Sequence, residues 1–205
     1  MPKKRNPRMK AIRPQQLIDA AFEVFVEKGY EAARIDDVTR RAGVSKGLLY
    51  RYFESKEALL KSVVRSTLEQ QLNSADALEA DPKESARALM AGPLVQLFQS
   101  LPKNKTTIAL NALLLAENVR HPDIVSFYWE HEIKRVLDVF SGLIDRGVEQ
   151  GEFPKDVSPV MPYLVLAPVF FSVTWTTLYP DQPIDTDAVI ETHMEMLLKY
   201  LDTPS

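Results

Sequence analysis

An all-α fold in two parts is what the sequence predicts: a small N-terminal helix-turn-helix unit followed by a larger helical body. Three observations carry that expectation. No proline occurs between Pro14 and Pro82, so 67 consecutive residues are open to helix, punctuated by Gly29, Gly43 and Gly47. Apolar residues recur at three- and four-residue spacings along most of the chain, and no segment alternates as a strand would. Charge is split as well. Residues 1–56 hold 13 Lys and Arg against 7 acids, whereas the remaining 149 hold 12 against 21. The formal charge of −3 therefore averages a head of +6 and a body of −9, and only the head suits an anionic partner.

In the head, Leu17, Ile18, Ala21, Phe22, Val24 and Phe25 form one apolar face of a first helix, predicted over Pro14–Lys28 and ended by Gly29. Ile35–Ala42 makes a short second helix, with Asp36 and Asp37 at its positive dipole end. Gly43 allows a tight turn, and Ser45 caps a third helix predicted over Lys46–Phe53. Ser55 caps a fourth. Ile35, Val38, Val44 and Leu49 are expected to pack between the short helices, leaving Lys46, Tyr50, Arg51 and Tyr52 outward and Phe53 in the core. Two tyrosines and two bases on one exposed tip suit phosphates and base edges.

Composition excludes several classes. With 205 residues, 45% of them apolar, the chain can bury a core. It has no cysteine, hence no disulfide framework, thiolate metal site or cysteine nucleophile. His121, His131 and His193 have no metal-ligand spacing, and no GxSxG, P-loop or GxGxxG motif occurs. No enzyme activity, metal or cofactor is expected. The basic start MPKKRNPRMKAIRP lacks the apolar run of a secretory signal, so a cytoplasmic protein is expected.

The stretch AAFEVFVEKGYEAARIDDVTRRAGVSKGLLYRYFESKEALL resembles the DNA-binding domain of the TetR/AcrR family of transcriptional regulators over its whole length. The segment Ala42–Leu60 is its most specific part. Three positions depart from the family pattern: Ala33 and Arg34 precede helix 2, where a Ser or Thr cap is usual, and Thr39 replaces an alanine. Losing that cap costs about 0.5–2 kcal/mol of helix stability, partly offset by Asp36 and Asp37. The resemblance implies a basic tail at 1–12, a DNA-binding domain at 13–60 and a ligand-binding and dimerisation domain at 61–205. It also implies a dimeric, ligand-responsive repressor that reads a palindromic operator in double-stranded DNA. Ser45, Lys46, Gly47, Tyr50, Arg51, Tyr52 and Lys56 are the implied DNA contacts. Lys3, Lys4, Arg5, Arg8 and Lys10 are further candidates along the backbone or minor groove. The alternative is a helical small-molecule carrier or scaffold without DNA binding.

In the body, helices are predicted over Lys83–Leu101, Lys105–Arg120 and Pro122–Gln150. Residues 157–180 contain no charge and are long enough to span a bilayer. Four prolines interrupt them, however, and the flanks are Asp156 and Asp181 in place of basic anchors. They are read as a helix buried between protein layers, with Pro168 placed to kink it. Ile190, Met194, Leu197, Leu198 and Leu201 form an apolar stripe on the last helix. With Phe171 they are expected at a dimer interface between four helices, as the resemblance implies. A small, largely apolar effector is expected to contact Leu94, Phe98, Leu113, Leu114, Phe127, Trp129, Phe170 and Trp175.

Overall fold

A computed structural model describes residues 14–76 and 83–202 of the chain; the basic stretch at 1–12 lies outside the described residues. All regular structure among the described residues is helical, and the chain divides into two compact units at Ser66 and Thr67.

The first unit contains α1 (Pro14–Ala32), α2 (Ile35–Ala42), α3 (Lys46–Leu49) and the start of α4 (Lys56–Asp76). Leu17, Ala21, Val24 and Phe25 of α1 meet a core with Val38, Leu49, Leu59, Leu60, Val63 and Val64, all essentially inaccessible to solvent. Gly29 breaks α1 as expected (φ 75°, ψ 161°), but a further helical turn follows it. That turn seats Tyr30, whose ring lies 5.7 Å from Phe25.

Helix α2 ends in a glycine motif. Gly43 takes φ 68°, its N–H donates to the Arg40 carbonyl, and the Val44 N–H donates to that of Thr39. At the other end, Asp37 supplies what the missing Ser or Thr does not. Its carboxylate accepts from the Arg34 N–H at 3.2 Å, the returning half of a capping box. The hydrogen bond from Lys28 is the main influence holding the Asp37 carboxyl below its ordinary range, with the Arg34 N–H and the charge of Arg40 adding to it. Thr39 is buried, its hydroxyl donating to the Asp36 carbonyl at 3.1 Å.

The second unit comprises α5 (Ala86–Ala91), α6 (Pro93–Ser100), α7 (Lys105–Glu117), α8 (Pro122–Tyr128), α9 (Lys134–Glu149), α10 (Met161–Leu178) and α11 (Thr186–Leu201). The helix predicted over Lys83–Leu101 is in fact two. Gly92 leaves helical geometry (φ −120°, ψ −85°), and Pro93, lacking an N–H, opens α6. The stretch predicted over Pro122–Gln150 is helical as far as Glu149 but contains a π turn at Trp129–Ile133.

The RGVEQGEF segment holds two helix ends together. Gly151 takes φ 73° after α9; its N–H donates to the Val148 carbonyl, and the Glu152 N–H donates to that of Gly147. The loop then reaches α5: Gln150 Oε1 accepts from the Ala86 N–H and Glu152 Oε2 from the Arg87 N–H, while Ser85, immediately before the helix, caps it by accepting from the Ala88 N–H.

Helix α10 packs against α7, α9 and α11. Met161, Val165, Val169 and Val173 face the core at four-residue intervals. Pro168 sits inside this helix, which runs unbroken to Leu178. The Leu164 carbonyl would have accepted from an N–H at position 168; His193 Nε2 of α11 donates to it instead, at 2.8 Å. By length and composition α10 would be apolar enough to cross a membrane, but one of its faces belongs to this core.

The stripe Ile190, Met194, Leu197, Leu198 and Leu201 is buried in that same core, and so is not the partner-facing surface the sequence suggested. Helical periodicity identifies a covered face without saying which neighbour covers it. Exposed apolar residues lie instead on the other side of each helix: Leu164, Phe171 and Leu178 on α10, Met196 and Tyr200 on α11.

Gly147 tests the packing at the end of α9. A Cβ there would come within 2.1 Å of the Phe153 ring, which is buried and has little room to yield. Gly147→Ala is therefore expected to destabilise the fold by about 1–3 kcal/mol, despite alanine's better helix propensity. Urea denaturation checks this, and an increase in stability would contradict the packing.

Candidate nucleic-acid interface and ligand cavity

The turn after Gly43 delivers the chain to Ser45, whose Oγ accepts from the Leu48 N–H at 3.3 Å and starts α3. Regular helix lasts only to Leu49, not to Phe53 as the sequence suggested. Leu49 is fully buried, and the Phe53 N–H returns to its carbonyl at 3.0 Å. Both side chains are drawn inward, and the intervening Tyr50, Arg51 and Tyr52 form an outward turn. Ser55 Oγ then accepts from the Ala58 N–H at 3.0 Å and starts α4.

Each residue implied as a DNA contact lies on this short stretch. Ser45, Lys46, Gly47 and Arg51 are exposed, as are Tyr50 and Tyr52, each retaining 46% of its accessible surface. Lys46 is paired with Asp36 of α2 at 3.0 Å, and that hydrogen bond raises its pKa. Lys56 is half-buried, its Nζ donating to the Glu31 carbonyl at 3.1 Å and lying 4.3 Å from the centre of the Tyr30 ring. Arg40 pairs with Asp37, and Arg41 with Glu23 and Glu27, so both serve the unit's own framework. The Arg51 side chain makes no hydrogen bond or ion pair among the described residues. A capped helix start, two exposed phenol groups and a guanidinium standing clear of any acid form a surface that can donate to phosphate oxygens and base edges.

A second feature lies wholly within the larger unit. A cavity of about 320 Å³ opens between α6, α7, α8, α9 and α10, within the size range of small-molecule sites. Leu97, Phe98 and Leu101 line it from one side, and Leu110, Asn111, Leu114 and Leu115 from α7. Val125 and Tyr128, Ile133, Val136 and Phe140, and Leu166, Val169, Phe170 and Val173 complete most of the wall.

Of the residues the sequence proposed for a ligand, Phe98, Leu114 and Phe170 line this cavity. Leu94 belongs to the core behind it. Leu113 is buried but does not reach the wall, and Phe127 stacks on His131 with ring centres 4.2 Å apart. Trp129 lines a separate surface groove beside Pro159, Pro162 and Tyr163. Trp175 donates its Nε1–H to the Gln182 carbonyl. Five of the eight positions named from the sequence are aromatic, whereas the wall is mainly aliphatic. Thr107, Asn111 and Asn118, absent from the sequence-based set, contribute much of its polarity.

Residues 17–63 match the family model for bacterial regulatory proteins of the tetR family. Along nearly the whole chain, the sequence is 27% identical over 196 residues to the fatty acid metabolism regulator protein of Bacillus subtilis (strain 168), covering 93% of this chain and 97% of that protein. It is 23% identical over 200 residues to the HTH-type transcriptional repressor KstR2 of Rhodococcus jostii (strain RHA1), covering 95% and 94%. The fold matches the crystal structure of the Bacillus subtilis transcriptional regulator FadR in complex with stearoyl-CoA, with a TM-score of 0.67, 23% identity and coverage of 91% and 98%.

Gly47 separates an internal role from an external one. A Cβ built there meets no atom of this chain within 4 Å. Gly47→Ala is therefore expected to leave the thermal stability of the head unchanged or raised, by up to about 1 kcal/mol. If DNA approaches this helix closely, the same variant binds it more weakly. Melting curves together with fluorescence anisotropy on a duplex recovered by selection check both halves; undiminished binding would remove Gly47 from the contact surface.

Proposed function

Because the chain belongs to the tetR family of bacterial regulatory proteins and is a DNA-binding transcriptional regulator, we propose that it is a cytoplasmic repressor. In this reading it binds a palindromic operator as a homodimer and releases it when a small effector occupies the body. The observation that carries the reading is the exposed tip from Ser45 to Tyr52, built on a basic head. Ser45, Lys46 and Gly47 meet the major groove, with Lys46 exchanging Asp36 for a guanine edge. Tyr50, Tyr52 and Lys56 hold phosphates, and Arg51 reaches a phosphate or a base.

A single α3 of four residues touches few base pairs, so specificity calls for two copies related by a two-fold axis. We assign the dimer contact to the outward faces of α10 and α11. Leu164, Phe171 and Leu178 repeat at seven-residue intervals, and Met196 and Tyr200 are one turn apart. Phe171 thus keeps the place the sequence gave it. Effector occupancy of the cavity, at Phe98, Leu114 and Phe170 among others, favours a dimer whose two heads are misplaced for the operator.

Gel-shift titration with DNA flanking the protein's own gene tests the central claim. Saturable binding that resists competitor DNA is expected, and a complete lack of binding at low salt would favour a carrier or scaffold. Lys56→Gln should weaken binding to all sequences and lower the slope of log K against log salt by about one; an unchanged slope would exclude a phosphate contact. Phe171→Glu, at a position exposed in the protomer, should leave the fold intact and yield a monomer in light scattering. A dimer persisting in that variant would move the interface elsewhere.

A further inference from the structure

We infer that the body's cavity accepts an uncharged, mainly apolar molecule carrying one hydrogen-bonding group, and that Asn111 is the residue that reads this group. The inference rests on the reading of the cavity as the effector site. None of the described lining residues is an acid, a base or a histidine. A carboxylate, phosphate or ammonium placed there would lose its hydration without gaining a counter-charge, which costs several kcal/mol even with partial compensation. Val125 and Tyr128 of α8 line the cavity, and Ile133 at the end of the π turn, Val136 and Phe140 continue its apolar wall.

The polar feature is as definite as the apolar one. The Thr177 hydroxyl donates its single proton to the Val173 carbonyl at 2.7 Å, so it can offer Asn111 only a lone pair. Asn111 therefore turns its Nδ2 toward Thr177, at 3.0 Å. This fixes the carboxamide orientation and leaves its Oδ1 and one N–H for a ligand. A hydroxyl, which both donates and accepts, satisfies that pair of sites without any charge; a neutral N–H would engage the Oδ1 alone and a carbonyl the N–H alone.

The test uses two fluorescent probes that share a skeleton and differ in charge: neutral N-phenyl-1-naphthylamine and anionic 8-anilinonaphthalene-1-sulfonate. Each is titrated against the full-length protein, Leu97→Trp, which fills the cavity, and Asn111→Leu, which keeps its size; circular dichroism verifies the fold of each variant. The neutral probe is expected to bind one per protomer, at least tenfold more tightly than the sulfonate. Its affinity should be lost in Leu97→Trp and reduced about three- to tenfold in Asn111→Leu, as removal of one hydrogen bond predicts. A smaller preference for the neutral probe, with both probes sensitive to Leu97→Trp, overturns the neutral-ligand assignment and leaves the cavity as a ligand site. Unchanged affinity in Asn111→Leu overturns the role of Asn111. If neither probe binds, or if folded Leu97→Trp binds both as well as the parent, the cavity is not the effector site and the inference falls with that reading. Should Leu97→Trp fail to fold, the affinity ratio in the parent and the effect of Asn111→Leu still decide.

Discussion

Helix α10 carries no charged side chain along its length, and the body is organised around the need to cover it. One face supplies Met161, Val165, Val169 and Val173 to the core, where α9 and α11 meet them. A second part, with Leu166 and Phe170, forms a wall of the cavity. The third, marked by Leu164, Phe171 and Leu178, remains at the surface of the protomer. One helix thus takes part in the core, the cavity and the proposed contact between subunits. A shift of α10 in response to a ligand would be felt at all three, because packed side chains exchange between discrete arrangements more readily than they deform.

The ends of the helices impose a second constraint, since each leaves backbone groups that need partners. Gly43 and Gly151 close α2 and α9 in the same way, each with a positive φ and two returning N–H donors. In the head, this directs the chain straight into Ser45 and the short α3. In the body, the same loop reaches across to α5, with Gln150 and Glu152 occupying two of its free N–H groups. Where a usual partner is missing, another group takes its place. Asp37 serves the start of α2 in the absence of a Ser or Thr cap, and His193 serves the Leu164 carbonyl that Pro168 leaves open.

The head was largely legible in the sequence because its determinants are local. Gly43, Ser45 and Ser55 act on residues within four positions of themselves, so spacing alone locates the turn and the caps. Where the reading of α3 overran, the spacing was not at fault: Leu49 and Phe53, four apart, are both buried and joined by the Phe53 N–H to Leu49 carbonyl bond, so the inward face was legible, while regular helix ends at Leu49 and a turn carries the chain on. The cavity was legible only in outline. Of the aromatic positions named from the sequence, Phe127 stacks on His131, Trp175 packs on Tyr179 and donates to the Gln182 carbonyl, and Trp129 lies exposed on a separate groove. Asn111 carried no signal at all, because its significance depends on Thr177, 66 positions away.

The sequence by itself determined that the chain is helical, that its basic charge is concentrated at one end, and that a capped turn presents Tyr50, Arg51 and Tyr52. These properties follow from composition and from interactions over a few residues, which leave a periodic trace. It also showed that α10 and α11 each carry an apolar face. Only the tertiary structure decided what covers those faces: Ile190, Met194, Leu197, Leu198 and Leu201 are spent within the protomer, while Phe171 and Met196 are not. Periodicity reports that a surface avoids water. The identity of the surface it meets depends on how separate helices are brought together, and no spacing along the chain encodes that directly.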